Sequence, residues 1–205
     1  NSCGYSSQSS FIKIFKERFG MSPKEWKNGG YKDYSNEIIK QSEFAMKSKA
    51  SFENITPTIV KAKAIESYYI RNRGYNKNIE ATWQKLQTWV LTNNIKSYKR
   101  VALFHDNPTI TPLDECQYIA CIIVDDEKSI KSDRIPKFKI AEGVYAKFDL
   151  KAKAEDLLPF IQWVYHEWLP KSEYETTTKP SYAVYDKLDF IDGDDEFEFS
   201  FYVSI

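Results

Sequence analysis

Residues 78–90, NIEATWQKLQTWV, and residues 157–168, LLPFIQWVYHEW, decide how this chain folds. In the first, Ile79, Trp83, Leu86 and Val90 stand at i, i+4, i+7 and i+11. In the second, Leu157, Ile161, Val164 and Trp168 stand at the same intervals, 78 positions later. Such spacing lines one side of a helix, so each set predicts the buried stripe of a helix of about four turns. A strand-like segment precedes each helix, Ile59 to Ile70 and then Phe138 to Leu150. The offset of 78 also pairs Val60 with Phe138 and Ala62 with Ile140. Two β-rich runs follow each helix. Val101–Phe104 corresponds to Tyr182–Tyr185, now 81 apart, and Tyr118–Val124 corresponds to Phe199–Ile205 at the same 81. Three extra residues between helix and strand reconcile the two offsets, and loops tolerate insertions.

The plan is therefore β-α-β-β stated twice, an α+β fold of duplicated units. One unit has a single helix and cannot cover both faces of a sheet. Two units related by a pseudo-two-fold bury both helices and leave a groove between them. Aromatic residues crowd the proposed dyad, and Tyr68, Phe104, Tyr145, Trp163, Trp168 and Tyr185 are the candidate pocket walls. Stacked rings hold flat organic molecules by dispersion, and cations by cation–π attraction. If Leu103 points into the core, alternation turns Ala102 and Phe104 the other way.

The 205 residues suit one domain with attachments. Apolar residues make up 42% and aromatics 16%, while Gly (7) and Pro (8) are scarce, which excludes disordered and fibrous classes. No apolar run approaches a membrane span of ~20 residues. The chain opens on Asn1 without a signal-peptide pattern, so a fragment or processed chain is expected. Residues 1–100 hold 18 Lys/Arg against 8 Asp/Glu, and residues 101–205 hold 11 against 21. A basic front half can meet an acidic polymer, or be a solvated surface. Cys3, Cys116 and Cys121 are odd in number and lack metal-ligand spacing, which suits a reducing cytoplasm. His105 and His166 are too few for a His-rich site. No phosphate loop, zinc constellation, Ser-His-Asp set or nucleotide fingerprint is present, so neither cofactor, metal nor catalytic residue is assigned.

Residues 1–27 read differently. Ser6 or Ser7 can cap a helix. Phe11, Ile14, Phe15 and Phe19 form its apolar stripe, Gly20 closes it, and Ser22-Pro23 opens the next. Gln8, Ser9, Ser10 and Lys13 lie off the stripe. Small polar residues followed by Lys at a helix start suit a DNA major groove, where Gln pairs with adenine and Lys reaches guanine or phosphate. Asn28-Gly29-Gly30 breaks the pattern. Residues 28–55 read as a tether with one short helical turn.

The order Gly4-Tyr5-Ser6-Ser7-Gln8-Ser9, then Phe11, Phe15-Lys16, Phe19-Gly20 and Ser22-Pro23 resembles the last helix-turn-helix of AraC-type regulators. The resemblance implies a recognition helix from about Ser7 to Phe19, with Gln8, Ser9, Ser10 and Lys13 facing the groove. Phe11, Phe15 and Phe19 become core, and Trp26 packs after the Pro. The family uses two such units on one scaffold. This stretch is a truncated helix-turn-helix, so the chain alone is expected to bind DNA weakly or not at all.

Residues 56–205 resemble the gyrase-inhibitor-like effector-binding domain. The resemblance is carried by ALFHDNPTITPLDECQYIACIIV at 102–124, Gly143-Val144-Tyr145, IQWVYHEWLPKSEYE at 161–175, PSYAVY at 180–185 and the closing FEFSFYVSI. It implies the same doubled β-α-β-β fold and a small-molecule pocket whose occupancy alters an attached DNA reader. In this family the strand after the second helix commonly carries a pocket Glu that suits cations. Here that position is Ala183, and Glu167 is a substitute acid only if it reaches the groove. An alanine cannot neutralise a cation in low dielectric, so neutral or weakly polar aromatic ligands are expected.

The first function read from these features is a ligand-responsive bacterial transcription regulator, not an enzyme, with DNA and a small-molecule effector as partners. A homodimer is left open, and no membrane association is expected. A hydrolase of the same fold would need a positioned acid, for which only Glu66, Glu142 or Glu167 stand in. A gyrase-interacting module is the third alternative.

Overall fold

A computed structural model describes residues 4, 7–75, 78–126, 130, 134–185 and 196–205. Cys3, Tyr5 and Ser6 lie outside the described residues. The front segment holds α1 (Gln8–Phe19), α2 (Pro23–Glu25), a π-helical turn (Trp26–Gly30) and α3 (Tyr31–Lys40). The Ser7 hydroxyl accepts from the Ser10 N–H at 3.1 Å and caps α1. Gly20 closes it with φ of 70°, donating its N–H to the Lys16 carbonyl. Ser22 and Glu25 exchange hydrogen bonds as a capping box at α2.

The expected tether is the main local correction. Residues 31–40 form a ten-residue helix rather than one turn, with Ser35, Ile38 and Ile39 buried. The Gly29 kink is real, with φ of 111°. Beyond the kink, Tyr31, Tyr34, Ser35, Ile38 and Ile39 form a helical stripe. Counting only large aliphatics and Phe hides that stripe, because tyrosine rings and a small serine supply more than half of it.

The sheet strands are β1 (Thr58–Ala62), β2 (Ile65–Arg73), β3 (Tyr98–Phe104), β4 (Gln117–Val124), β5 (Lys137–Ile140), β6 (Gly143–Ala152), β7 (Ser181–Tyr185) and β8 (Phe197–Ser204). The helix α4 (Asn78–Thr92) joins β2 to β3. Between β6 and β7, α5 (Leu157–Trp163) runs through a π-helical segment (Val164–Trp168) into α6 (Leu169–Lys171). All eight strands form one antiparallel sheet in the order β1-β6-β8-β7-β3-β4-β2-β5.

The two β-α-β-β units are β2-α4-β3-β4 and β6-α5-β7-β8. Exchanging each strand for its counterpart reverses the strand order, as a two-fold between β3 and β7 requires. The register carries the same symmetry. Ala62 opposes Gly143 and, 78 positions on, Ile140 opposes Ile65. Each strand-like lead segment is two strands, broken at residues 63–64 and 141–142. Its first piece crosses to the other half, with β1 on β6 and β5 on β2. The alternation changes phase at each break: Val60 and Ala62 share a face with Ile65 and Tyr69, and Phe138 and Ile140 share it with Tyr145.

Both sheet faces are packed. On the helix side, Trp83, Leu86 and Val90 from α4 and Phe160, Ile161 and Val164 from the second helix meet Ala102, Phe104, Tyr118, Ala183, Tyr185, Phe199 and Phe201. On the other side Val101, Leu103, Ile119, Cys121, Tyr145 and Tyr182 make a second cluster. Alternation along β3 therefore holds, with Ala102 and Phe104 turned toward the helices and Leu103 away from them. No helix among the described residues is long and apolar enough to cross a membrane.

Candidate functional site

The middle of the helix-side face is where the two repeats meet. Its floor is alanine, because Ala102 pairs with Ala183 across β3 and β7 and both are fully buried. Aromatic rings from both halves rise around it. Trp83 stands edge-on to Tyr185 at 6.4 Å, Phe104 to Phe201 at 5.7 Å, and Phe160 to Phe201 at 5.7 Å. The Trp83 indole N–H donates to the Tyr118 hydroxyl at 3.0 Å. The Tyr185 hydroxyl lies beside Tyr118. Burial drives the phenols of Tyr75, Tyr118 and Tyr185 well above the usual range, so they stay neutral.

A pocket of about 180 Å³ opens at one end of this cluster. Its lining includes Phe104, His105, Asn107, Tyr165, Thr177, Lys179, Ser181 and Ser204. Hydroxyls dominate the wall: Thr177 and Ser204 are 2.6 Å apart, and Tyr165 and Ser181 are 3.4 Å apart.

The residues singled out from sequence divide into four places. Ala183, Phe104 and Tyr185 gather at the dyad. Tyr68 lies under α4, tilted against Trp89 at 4.7 Å, with the Lys137 ammonium 5.1 Å from its ring centre. Tyr145 is on the opposite sheet face, edge-on to Tyr182 and donating its hydroxyl to the Ala141 carbonyl at 2.8 Å. Trp163, Glu167 and Trp168 stand together on the flank of the second helix away from the dyad, with both tryptophan rings edge-on to Phe148 of β6 at 6.3 and 5.0 Å. They line a depression of about 400 Å³ with Glu53, Ile55, Thr56, Lys171 and Ser172.

Glu167 is not a groove acid. One carboxylate oxygen accepts from Lys32 at 2.5 Å and the other from Lys171 at 3.0 Å, and those bonds hold its carboxyl below the usual range. The residues that sequence reading missed are those on the partner helix α3. Gln162 donates to Ser35 at 3.1 Å and to Asn36 at 2.8 Å, and Tyr31 sets its ring edge-on to His166 at 5.0 Å. His166 is buried, and its imidazole is held neutral down to about pH 4 by burial and then by the Lys32 ammonium. The signal for this contact is the stripe of Tyr31, Tyr34, Ser35, Ile38 and Ile39.

In the front segment Gln8, Ser9 and Lys13 are exposed on α1, and Ser10 is partly covered. The Lys13 ammonium is 3.9 Å from the Glu17 carboxylate. Trp26 takes the packing position expected of it, 4.5 Å from Phe19, 5.7 Å from Phe15 and 5.5 Å from Tyr34. Among the described residues no group of three or more His, Cys, Asp and Glu could hold a metal ion.

An antiparallel sheet doubled about a two-fold, two helices on one face and the end of a helix-turn-helix docked beside them define a duplicated effector-domain architecture joined to a DNA-reader segment. The chain belongs to the GyrI-like small molecule binding domain family, whose model matches residues 55–205. Residues 1–27 match the bacterial regulatory helix-turn-helix proteins of the AraC family. A DNA gyrase inhibitor from Escherichia fergusonii is 25% identical over 122 residues, covering 58% of this chain and 78% of that protein. In the cryo-EM structure of an EcmrR–DNA complex, the likeness covers 97% of this chain and 84% of that one, with TM-score 0.57 and 12% identity. The crystal structure of the EcmrR C-terminal domain matches 74% of this chain and 97% of its own, with TM-score 0.54 and 14% identity. A hydrolase from Listeria innocua covers 74% and 93%, with TM-score 0.51 and 7% identity.

Proposed function

We propose that this chain is the effector-sensing part of a ligand-responsive transcription regulator, carrying the end of its DNA-binding domain. The effector is a small neutral aromatic molecule held on the helix-side face where the repeats meet, against Phe104, Ala183 and Tyr185. The observation that carries the reading is α3. It continues the helix-turn-helix segment and docks on the second helix of the sensor through Lys32–Glu167, Gln162–Asn36 and Tyr31–His166. A ligand that shifts this helix therefore meets the reader through a short packed route, and its coupling depends on binding the two arrangements with different affinity. Trp163 and Trp168 act in this reading as packing between that helix and Phe148 of the sheet. The groove-facing residues of α1 are Gln8, Ser9, Ser10 and Lys13.

The resemblance of the fold to a named hydrolase does not supply a catalytic group. Glu66 is exposed beside Lys139, Glu142 stands between β5 and β6, and Glu167 is held by two lysines. The test is calorimetric titration of the chain with a panel of neutral and cationic aromatics, together with gel shift on DNA. Binding of neutral members with weak or no DNA binding is the expected result. Sequence-specific nanomolar DNA binding by this chain would contradict the truncated-reader part, and turnover of an electrophilic compound would favour the enzyme.

A further inference from the structure

We propose that Tyr75 reads an oxygen of the effector, which makes that effector a phenol- or carbonyl-bearing aromatic, and that the Phe104 ring is the gate in front of it. This rests on the reading of a ligand site where the repeats meet, and names its chemistry. Tyr75 follows Gly74, whose φ of 85° turns the chain inward. The Gly74 N–H donates to the Cys116 carbonyl and the Tyr75 N–H to the Leu113 carbonyl, both at 2.7 Å, so the backbone of this turn is fixed. The Tyr75 ring stacks on Phe104 at 6.1 Å and stands edge-on to Tyr118 at 5.8 Å. Its hydroxyl is buried and has no hydrogen-bond partner among the described residues.

A buried hydroxyl that gives up water without a replacement bond is a cost with no structural return. Tyr118, one ring away, accepts from Trp83, so the cluster is not indifferent to polar pairing. Charge is absent from the floor, where Ala102 and Ala183 stand. The near carboxylate of Asp106 accepts from the Gln117 N–H at 2.8 Å and so is committed to the backbone. Phe104 also lines the 180 Å³ pocket, with Tyr165 and Ser181. Phe104 thus borders both the open pocket and the Tyr75 ring, and displacing its side chain would join them.

The test is calorimetric titration of Phe104→Ala, which opens ring-sized space beside Tyr75, with p-cresol and with toluene. Cresol loses more hydration on burial, so without a polar partner toluene binds better. The expected result is at least about tenfold tighter binding of cresol, falling below about twofold in Phe104→Ala/Tyr75→Phe. Equal affinities, or a preference that survives loss of the Tyr75 hydroxyl, overturn the inference while leaving a ligand site in place. Failure of both probes to bind removes the site itself. Should Phe104→Ala not fold, Tyr75→Phe in the otherwise unaltered chain decides: removal of an orphan hydroxyl raises Tm, and a lowered Tm refutes it.

Discussion

Ala102 and Ala183 face each other across β3 and β7, and each is the other's counterpart 81 positions away. The pair therefore sits on the two-fold, and a side chain added to either meets a fully buried part of the helix-side face. Ala183→Glu places a carboxylate there with no cation near it. At pH 7 the substitution is expected to destabilise the empty chain by ~3 kcal/mol or more. Burial raises the pKa of such an acid, so the loss shrinks as pH falls. It should also create at least about tenfold tighter binding of a lipophilic cation such as tetraphenylarsonium, since the carboxylate neutralises it in low dielectric. Thermal unfolding and calorimetric titration check both outcomes. Unchanged cation binding would mean that residue 183 does not face the ligand.

The aromatic cluster beside this pair is held by polar contacts as well as by packing. Trp83→Phe removes the donor to the Tyr118 hydroxyl and leaves space where the larger indole stood. A loss of about 2–4 kcal/mol is expected from the two causes together. In Trp83→Phe/Tyr118→Phe the second substitution removes the hydroxyl that the first left without its donor, so the pair should cost less than the sum of the single changes. Denaturant unfolding of the four chains measures that difference.

The contact between α3 and the sensor makes a prediction that does not concern stability. Lys32 and Glu167 are both partly exposed, so their attraction is screened by salt and contributes little to unfolding. Their value lies in holding α3 in one place. Lys32→Glu should raise hydrogen exchange in residues 31–40 several-fold, while Tm changes little. The exchanged pair Lys32→Glu/Glu167→Lys should recover part of the protection. Only part is expected, because the second substitution also takes Glu167 from Lys171. Protection unchanged in the single variant would show that the remaining contacts, through Gln162, Tyr31 and buried Ile38 and Ile39, secure the helix without the ion pair.

The duplicated plan was legible because two helix stripes of the same spacing and two constant offsets survive in the sequence, and the register of β3 on β7 repeats the offset of 81. The break inside each lead strand was not read, although the alternation changes phase there, with Val60 and Ala62 sharing a face with Ile65 and Tyr69, and Phe138 and Ile140 with Tyr145. The candidate site was legible only in part. Phe104, Ala183 and Tyr185 share one face because residues two apart on a strand point the same way. Tyr145 belongs to the other face, which needs the strand register to place. Trp163, Glu167 and Trp168 lie beside or on the stripe of the second helix, which is why spacing offers them as groove residues. A helix presents two flanks beside its buried stripe, and spacing alone does not say which flank meets α3 and which meets the groove.

His166 sits where that flank is buried, between the Tyr31 ring and the Lys32–Glu167 pair. Burial and the nearby ammonium push its pKa from 6.5 down to about 4, against the weaker pull of Glu167. The folded chain thus holds a neutral imidazole in a range where the unfolded chain binds a proton. The unfolded state takes up the extra proton between about pH 6.5 and 4, so stability rises with pH across that window and is complete above it. Acidification from pH 7 to 4 should remove roughly 2–3 kcal/mol through this residue. His166→Gln keeps a neutral polar side chain and should flatten that slope, as read from urea unfolding at a series of pH values. The effect should be largest on α3, because a protonated imidazole repels Lys32 and loosens the reader before the doubled sheet gives way. Hydrogen exchange at pH 5 that rises first in residues 31–40 would agree with this order, and uniform loss of protection across the chain would contradict it.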